Sequence, residues 1–401
     1  MLNEKGIREL AYVAEITDVR PIEGYDRVEL VVVNDGWTCV VGKGQFSKGD
    51  LAVYFEIDSK LPEREPFSNN EFIVKKKYKV QTQKMCKSIS QGLIMGLGEF
   101  GFDPAHYKKG DFLTEQLGIT YVVKEDNIRK GVRTGDRYKR MAQKHPKAAR
   151  TGTWKFLYQY NWGKKLLYVF FGREKKRNDI WPVGKFPGVN KTDQERVENM
   201  PWILKDKTPF IVTQKCDGSS ATYILERKKR NKYEFYVCSR NVRMMNPEQE
   251  CFYGSNNYYW EAAKKYKIEE KMRGYLEKHK ELTFVCWQGE ICAPGIQKNP
   301  HNLTKTHLYL FHWTDNTGRW DIRDASKVWK EYQMEVVPIV GEYIMPDTLE
   351  ELKLAADGYY DFDVCEGHAR QPREGFVYYK TTDPTFSFKN VSREYLLKHH
   401  S

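Results

Sequence analysis

Between Arg129 and Gly152 the chain reads RKGVRTGDRYKRMAQKHPKAARTG, a basic stretch nearly free of large aliphatic side chains. Such a stretch cannot bury enough apolar surface to offset the entropy lost on ordering it, so it is expected to form no core of its own. It therefore divides the 401-residue chain into two parts, each of ordinary domain size. The expected division is a domain over residues 1–125, a basic linker with some helix over 126–180, and a larger domain over 181–401. The linker's second half, the aromatic and basic stretch from Trp154 to Arg177, suits either contact with nucleic acid or simple tethering.

The first domain is built of short β-like runs, Ala11–Val19, Val28–Val33, Trp37–Val41 and Leu51–Ile57. Turn signals such as Asn34-Asp35-Gly36 and Lys48-Gly49-Asp50 separate them. Many short strands with glycine-rich turns predict a small barrel, and an OB-type β-barrel fits the length. Lys75-Lys76-Lys77-Tyr78-Lys79, with Lys84 and Lys87, suits a phosphate-tracking surface or a solvated edge strand. After Ile180, strands at Phe210–Thr213, Ala221–Leu225, Phe235–Cys238, Thr283–Trp287, Leu308–Trp313 and Phe376–Lys380 alternate with helices, clearest at Glu261–Lys280 and Thr348–Ala356. The fold class is α+β, with antiparallel sheets and flanking helices in the larger domain.

A net charge of +12 implies a polyanionic partner such as nucleic acid, an anionic membrane surface or a phosphorylated ligand. The amino terminus, MLNEKGIREL, has no apolar signal-peptide core, and Leu166–Phe171 is too short to span a bilayer. The eight cysteines contain no CxxC pair and read as reduced thiols, which points to the cytoplasm or nucleus. A monomer is the default expectation.

The sharpest local signal is Ile211-Val-Thr-Gln-Lys215-Cys-Asp217-Gly218-Ser-Ser. A strand ending in Lys-x-Asp-Gly resembles the first motif of the covalent nucleotidyltransferases, the ligases and capping enzymes. Their chemistry needs an amine that attacks an NTP α-phosphate and becomes a phosphoramidate. A solvated lysine is protonated at neutral pH and needs a nearby cation or desolvation to lose its proton. Asp217, two residues on, would share a strand face with Lys215 and engage a metal's hydration shell, while Gly218 would let the loop approach the nucleotide. Alone, this motif is weak, because an ordinary Lys-Asp-Gly turn gives the same letters. The ordered series after it is what raises it: Ser239-Arg240-Asn241, Gln288-Gly289-Glu290, Leu308-Tyr-Leu-Phe311, Glu374-Gly375-Phe376-Val377 and Ser387-Phe388-Lys389.

With a barrel before Lys215 and only a dozen residues after Lys389, the chain resembles RNA ligase family 5, in which an N-terminal OB domain precedes a C-terminal nucleotidyltransferase domain. Trp181-Pro182, Phe186-Pro187, Lys191-Thr192-Asp193, Arg196, Asn199, Ala293-Pro294-Gly295-Ile296-Gln297-Lys298-Asn299 and Ser90-Gln91-Gly92-Leu93 extend the likeness. The resemblance implies an ATP-dependent enzyme that adenylates its lysine, passes AMP to an RNA 5′-phosphate and joins that end to a 3′-OH. Its partner is RNA, as a nicked duplex or broken ends, with no membrane.

By that resemblance Lys215 is the nucleophile, and Asp217, Glu290 and Glu374 hold Mg2+ or Mn2+ mainly through water. Lys389 and Arg240 offset charge on the phosphoryl oxygens. Gln214, Gly218, Arg196, Glu290, Phe311 and Val377 complete the ATP/AMP pocket, with Phe311 and Val377 sandwiching the adenine. The family's last motif usually carries two lysines, and Ser387 stands where the first belongs, so Lys380 or another lysine takes its place or Lys389 acts alone. Two alternatives remain open at this stage: another nucleotidyltransferase (an ATP-dependent DNA ligase or a GTP-using capping enzyme) and a non-catalytic RNA-binding scaffold.

Overall fold

A computed structural model of the chain describes residues 8–122, 138, 141–142, 145–171, 184–244, 257–360 and 371–399. Trp181, Pro182, Cys251, Cys365 and residues 129–137 of the basic stretch lie outside the described residues.

The N-terminal strands are β1 (Ala11–Ile22), β2 (Tyr25–Val33), β3 (Trp37–Gly42), β4 (Leu51–Phe55) and the two-residue β5 (Ser59–Lys60). A short helix α1 (Glu71–Lys75) follows, then β6 (Gln83–Met85), β7 (Ser88–Ser90), β8 (Leu93–Gly96) and β9 (Thr120–Tyr121). Five of these make one antiparallel sheet, ordered β3-β2-β1-β4-β8. The long β1 is shared: Ala11–Glu15 pair with β4, and Ile16–Ile22 pair with β2 across two register shifts. Such irregularities increase local twist, and here they curl the sheet. Alternation along β1 then feeds two cores, Val13 packing with Phe55 and Leu113, and Tyr12 with Val31, Trp37 and Tyr54. The barrel is a half-barrel. Edge strand β3 meets the β7–β8 connection through Gln91 N–H to the Thr38 carbonyl (2.7 Å) and the Thr38 hydroxyl to the Ile89 carbonyl (2.8 Å). Lys75–Lys79 is not the edge strand that was one of its two readings. Lys75 closes α1, and Lys77 and Tyr78 turn the chain with φ of 53° and 58°.

Residues 145–171 form α2 (Pro146–Ala149), α3 (Gly152–Gln159) and α4 (Asn161–Phe171). The basic stretch contributes to a core that it does not form alone: Met141, Ala142 and Ala149 are buried together with Trp154 and Leu167. The small side chains of the basic stretch are covered by the large ones that follow it, a pairing that composition of the stretch alone does not reveal.

The C-terminal region holds two further five-stranded sheets. Its strands are β10 (Glu195–Arg196), β11 (Phe210–Gln214), β12 (Ser219–Arg227), β13 (Tyr233–Ser239), β14 (Phe284–Cys292), β15 (His307–Asp315), β16 (Gly318–Arg319), β17 (Ile339–Tyr343), β18 (Gly375–Lys380) and β19 (Asp383–Val391). One sheet is ordered β10-β19-β18-β11-β17, the other β13-β12-β14-β15-β16. Only the β10–β19 pair in them is parallel. The helices are α5 (Tyr258–Lys265), α6 (Ile268–Lys278), α7 (Ile322–Glu331), α8 (Leu349–Ala355) and α9 (Arg393–His399). α5, α6 and α7 cover the outer face of the second sheet over Trp287 and Trp313, and α7 adds Trp329, so that large apolar surfaces dominate that core. The single helix expected over Glu261–Lys280 is two. Lys267 takes a left-handed conformation (φ 50°), which starts a new helix with Glu269 and Glu270 in its first turn and turns Ile268, Met272 and Leu276 into the core.

The half-barrel docks on this region through one buried lysine. Lys353 on α8 is 1% exposed, pairs with Glu198 Oε1 at 3.1 Å and donates to the carbonyl of Gly36 at the β2–β3 turn. A Cβ on Gly36 would come within 2.6 Å of a terminal methyl of Leu349, so a side chain there would have to displace that leucine. Removing one partner of a buried pair leaves an uncompensated charge, so Lys353→Ala is expected to cost about 3–5 kcal/mol. Thermal unfolding measures it, and an unchanged melting temperature would show that the pair does not hold the domains together.

Candidate active site

β11 delivers Lys215 immediately beyond its last residue, Gln214, and the Lys215 N–H is fixed to the Gly375 carbonyl at 2.9 Å. The lysine stands between the two C-terminal sheets. β11, β18 and β19 bring Gln214, Val377 and Lys389 from one sheet, and β14 and β15 bring Glu290 and Phe311 from the other. Together with Lys215 and Arg240 these line a cleft with about 530 Å3 of empty space. Its wall also includes residues the motifs did not single out: Gln194, Thr213, Cys216, Val337 and Tyr379. Phe311, Val337, Val377 and Tyr379 make an apolar part, whereas Lys215, Arg240, Glu290 and Lys389 make a charged part.

The Lys215 ammonium touches Glu374 Oε1 at 2.6 Å. Burial works against that charge, but Glu374, Glu290 and Asp217 outweigh it and hold the lysine above its ordinary value. The carboxylates answer in kind. Burial, with Glu374 beside it, pushes Glu290 up to about 8. Burial, again with Glu374, pushes Asp217 up to about 6 against the Tyr395 hydroxyl and Lys215. On the cleft's other wall Lys389 is pulled down to about 8, by burial first and then by Arg196 and Lys215. Arg196 neighbours Lys389 across the parallel β10–β19 pair, and its Nη1 is buried without a hydrogen-bond partner among the described residues. Asp193 Oδ1 lies 3.6 Å from Arg240 and 3.9 Å from Lys389, between two cations that face the cleft.

Three expectations change in detail. Asp217 lies past the end of the strand, so strand alternation does not set its direction; the Tyr395 hydroxyl on α9 donates to its Oδ2, and its N–H donates to His301 Nε2 at 3.1 Å. Neither it nor Arg196, Gly218 or Glu374 lines the cleft wall directly. Gly218 is required by the sheet itself, because a Cβ there would lie 2.3 Å from the Ile291 carbonyl. Lys380 does not take the place of the lysine missing at Ser387, since it is ion-paired with Asp206 at 2.6 Å. Arg196 supplies a second cation beside Lys389 instead.

His301, Tyr360 and Tyr395 were missed by the motif reading. Tyr360 accepts from the Glu374 N–H at 3.2 Å and Tyr395 holds Asp217, so both fix carboxylates that a short sequence pattern carries without their supports. His301 is pulled down to about 4 by burial and stays neutral near pH 7, fit to accept the Asp217 N–H.

The cleft and sheets define a covalent nucleotidyltransferase domain preceded by an OB-fold domain. Residues 208–396 match the RNA ligase family model, and residues 10–97 match that of an OB-fold domain. The structure is similar to Naegleria gruberi RNA ligase with PPi, at 26% identity over 98% of this chain and 99% of that one, with a TM-score of 0.64. A mutant of that enzyme with ATP and Mn gives 26% identity, 98% and 100% coverage and a TM-score of 0.65. Another mutant, with AMP and Mn, gives 27%, 98% and 99%, and 0.64. No curated protein sequence matches at a significant level. The chain thus carries an RNA ligase family domain over residues 208–396, preceded by an OB-fold domain.

Glu290 gives a pH test. Its folded-state value of about 8 exceeds the ordinary 4.5. Between those values the unfolded chain carries the ionised form while the fold keeps the proton, so this group lowers stability as pH rises and stops doing so above about 8. Glu290→Gln removes the effect. In chelator and without nucleotide, the melting temperature of the variant relative to the parent should climb from about pH 5 to pH 8. A difference that stays flat with pH would refute the burial argument.

Proposed function

We propose that Lys215 carries adenylate and that the surrounding residues act as follows. Lys215 Nζ attacks the α-phosphorus of ATP, the bond to the β-phosphate oxygen breaks, and pyrophosphate leaves while a P–N bond forms. The RNA 5′-phosphate then takes the AMP from the lysine, and an adjacent 3′-OH attacks that phosphate and expels AMP. Lys389, Arg196 and Arg240 offset the charge that builds on the phosphoryl oxygens. Phe311 and Val377 hold the adenine between them, with Gln214 at the edge of the same pocket.

The observation that carries this reading is the placement of Lys215 where a carboxylate cluster meets a group of cations, beside an apolar slot. Glu374 Oε2 is buried without a hydrogen-bond partner among the described residues, and Glu290 and Asp217 both resist ionisation. That oxygen-only set is short of positive charge and fits a hard divalent cation. Asp217, Glu290 and Glu374 would hold Mg2+ or Mn2+, mainly through water, and the ion would supply charge that draws the carboxylates away from the lysine. Lys215 must lose its proton before attack, and Glu374 Oε1 is the nearest carboxylate oxygen to it.

In this reading residues 1–125 grip RNA on the 3′-OH side of a nick, 181–401 carry the transfer chemistry, and 126–180 join them. The preferred substrate is a nicked duplex with RNA on the 3′-OH side, and the active unit is a monomer. Among the described residues no helix is long and apolar enough to cross a membrane.

Radiolabelled ATP should leave a gel-stable adduct on the parent protein and none on Lys215→Ala. Lys389→Ala should slow adduct formation by about 10²-fold, as loss of one preorganised charge-stabilising group does. An adduct on Lys215→Ala would remove the nucleophile assignment, and faster sealing of all-DNA nicks would remove the substrate assignment.

A further inference from the structure

The α3–α4 hairpin carries chemistry that adenylate transfer does not use. Across residues 145–171 there are five lysines and arginines (Lys147, Arg150, Lys155, Lys164 and Lys165) and no aspartate or glutamate. The same short segment exposes large rings. Phe156 is 55% exposed, Tyr160 44% and Trp162 58%.

These three rings form a row. Phe156 lies on α3 and Tyr160 is the residue that closes it. Their centroids are 5.4 Å apart. Tyr160 leaves the helix in an extended conformation and Trp162 opens α4, which brings those two rings to 6.1 Å at 22°, close to stacked. The row is held from behind, because Trp154 and Leu167 are buried in the hairpin's core and Trp154 packs on Phe171 at 5.0 Å. Lys155 and Lys165 are exposed on the same two helices, and Lys164 lies over the Tyr158 ring at 5.2 Å.

An aromatic row flanked by cations, in a segment whose own sequence carries no acidic residue, fits one kind of partner well. Unpaired bases stack on the rings while the backbone phosphates meet the lysines, without demand on sequence. An acidic protein would satisfy the lysines but leave the flat rings without flat partners. We propose that the α3–α4 hairpin is a second RNA-binding surface, taking single-stranded RNA that flanks the ends being joined through Phe156, Tyr160 and Trp162. The proposal rests on the RNA-ligase reading but uses none of the residues of the cleft.

The test uses the full-length protein and a triple variant, Phe156→Ala, Tyr160→Ala and Trp162→Ala. Anisotropy of a fluorescein-labelled single-stranded RNA should report an affinity at least about 10-fold weaker, given the contribution of even one lost base–ring stack. Lys215–AMP formation from ATP should be unchanged, which also shows that the variant is folded. A second variant, with Lys155, Lys164 and Lys165 changed to Gln, should flatten the dependence of affinity on salt. Unaltered RNA affinity in the triple variant overturns the proposal. So does a concentration-dependent dimer, or binding to phosphatidylserine vesicles, that the triple variant loses while keeping its RNA affinity, because the exposed Leu166 and Val169 beside the row would then serve a second copy or a bilayer. A parent protein that forms no adduct but loses RNA affinity on ring removal would sink the ligase mechanism alone.

Discussion

An ammonium held against three carboxylates is the interaction on which the rest of this active site depends. Lys215 and Glu374 meet at 2.6 Å inside a cleft where Glu290 and Asp217 are also recessed. With one cation for three acids, the group cannot be fully ionised without cost, and the raised values of Glu290 and Asp217 express that deficit. The same field keeps Lys215 protonated, and therefore not nucleophilic. Positive charge arriving at the carboxylates would relieve that deficit. Across the cleft the imbalance is reversed: burial first, and then the nearby Arg196 and Lys215, pull Lys389 down to about 8. Each side lacks what a metal-bound nucleotide brings.

Building that field requires long-range scaffolding, and the fold supplies it from two directions. α9 carries Tyr395 onto Asp217, and its Leu396 packs with Ile89 of the half-barrel, so one short helix touches both the site and the neighbouring domain. Glu198, two residues past Arg196, is neutralised by Lys353, which in turn reaches the barrel's Gly36. Arg196 thus sits two residues from a contact between domains, and Asp217 is held by a tyrosine adjacent to another.

Much of the site could be read from the sequence because its chemistry is concentrated in short patterns. Lys215, Glu290, Phe311, Val377 and Lys389 converge on one cleft although strands from two sheets deliver them. What could not be read is what tertiary contact decides. Arg196 becomes the partner of Lys389 only through a parallel pairing between strands far apart in the chain, and Asp217 turns towards a tyrosine that belongs to no motif. Gly218, read as leaving space for a nucleotide, makes space for the neighbouring strand's carbonyl. The helix break at Lys267 leaves no composition signal, since a lysine in a left-handed conformation looks like any other helix former. The hairpin core was hidden for a related reason: its small residues and its large ones lie in adjacent segments, and neither half predicts a core alone.

The geometry also explains why one missing lysine is tolerated. Ser387 faces Tyr379 across the β18–β19 pair, and Lys389 faces Val377 two residues on, so both positions of the usual motif point to the same side of the sheet. A lysine at 387 would add a cation along β19 itself. Here the extra cation comes from the next strand over, because β10 lays Arg196 directly beside Lys389. The group that β10 sets there is a guanidinium rather than a second ammonium, and its planar fork can meet phosphate oxygens in pairs. The sheet, rather than the spacing of residues along one strand, determines how many positive charges the phosphates would meet.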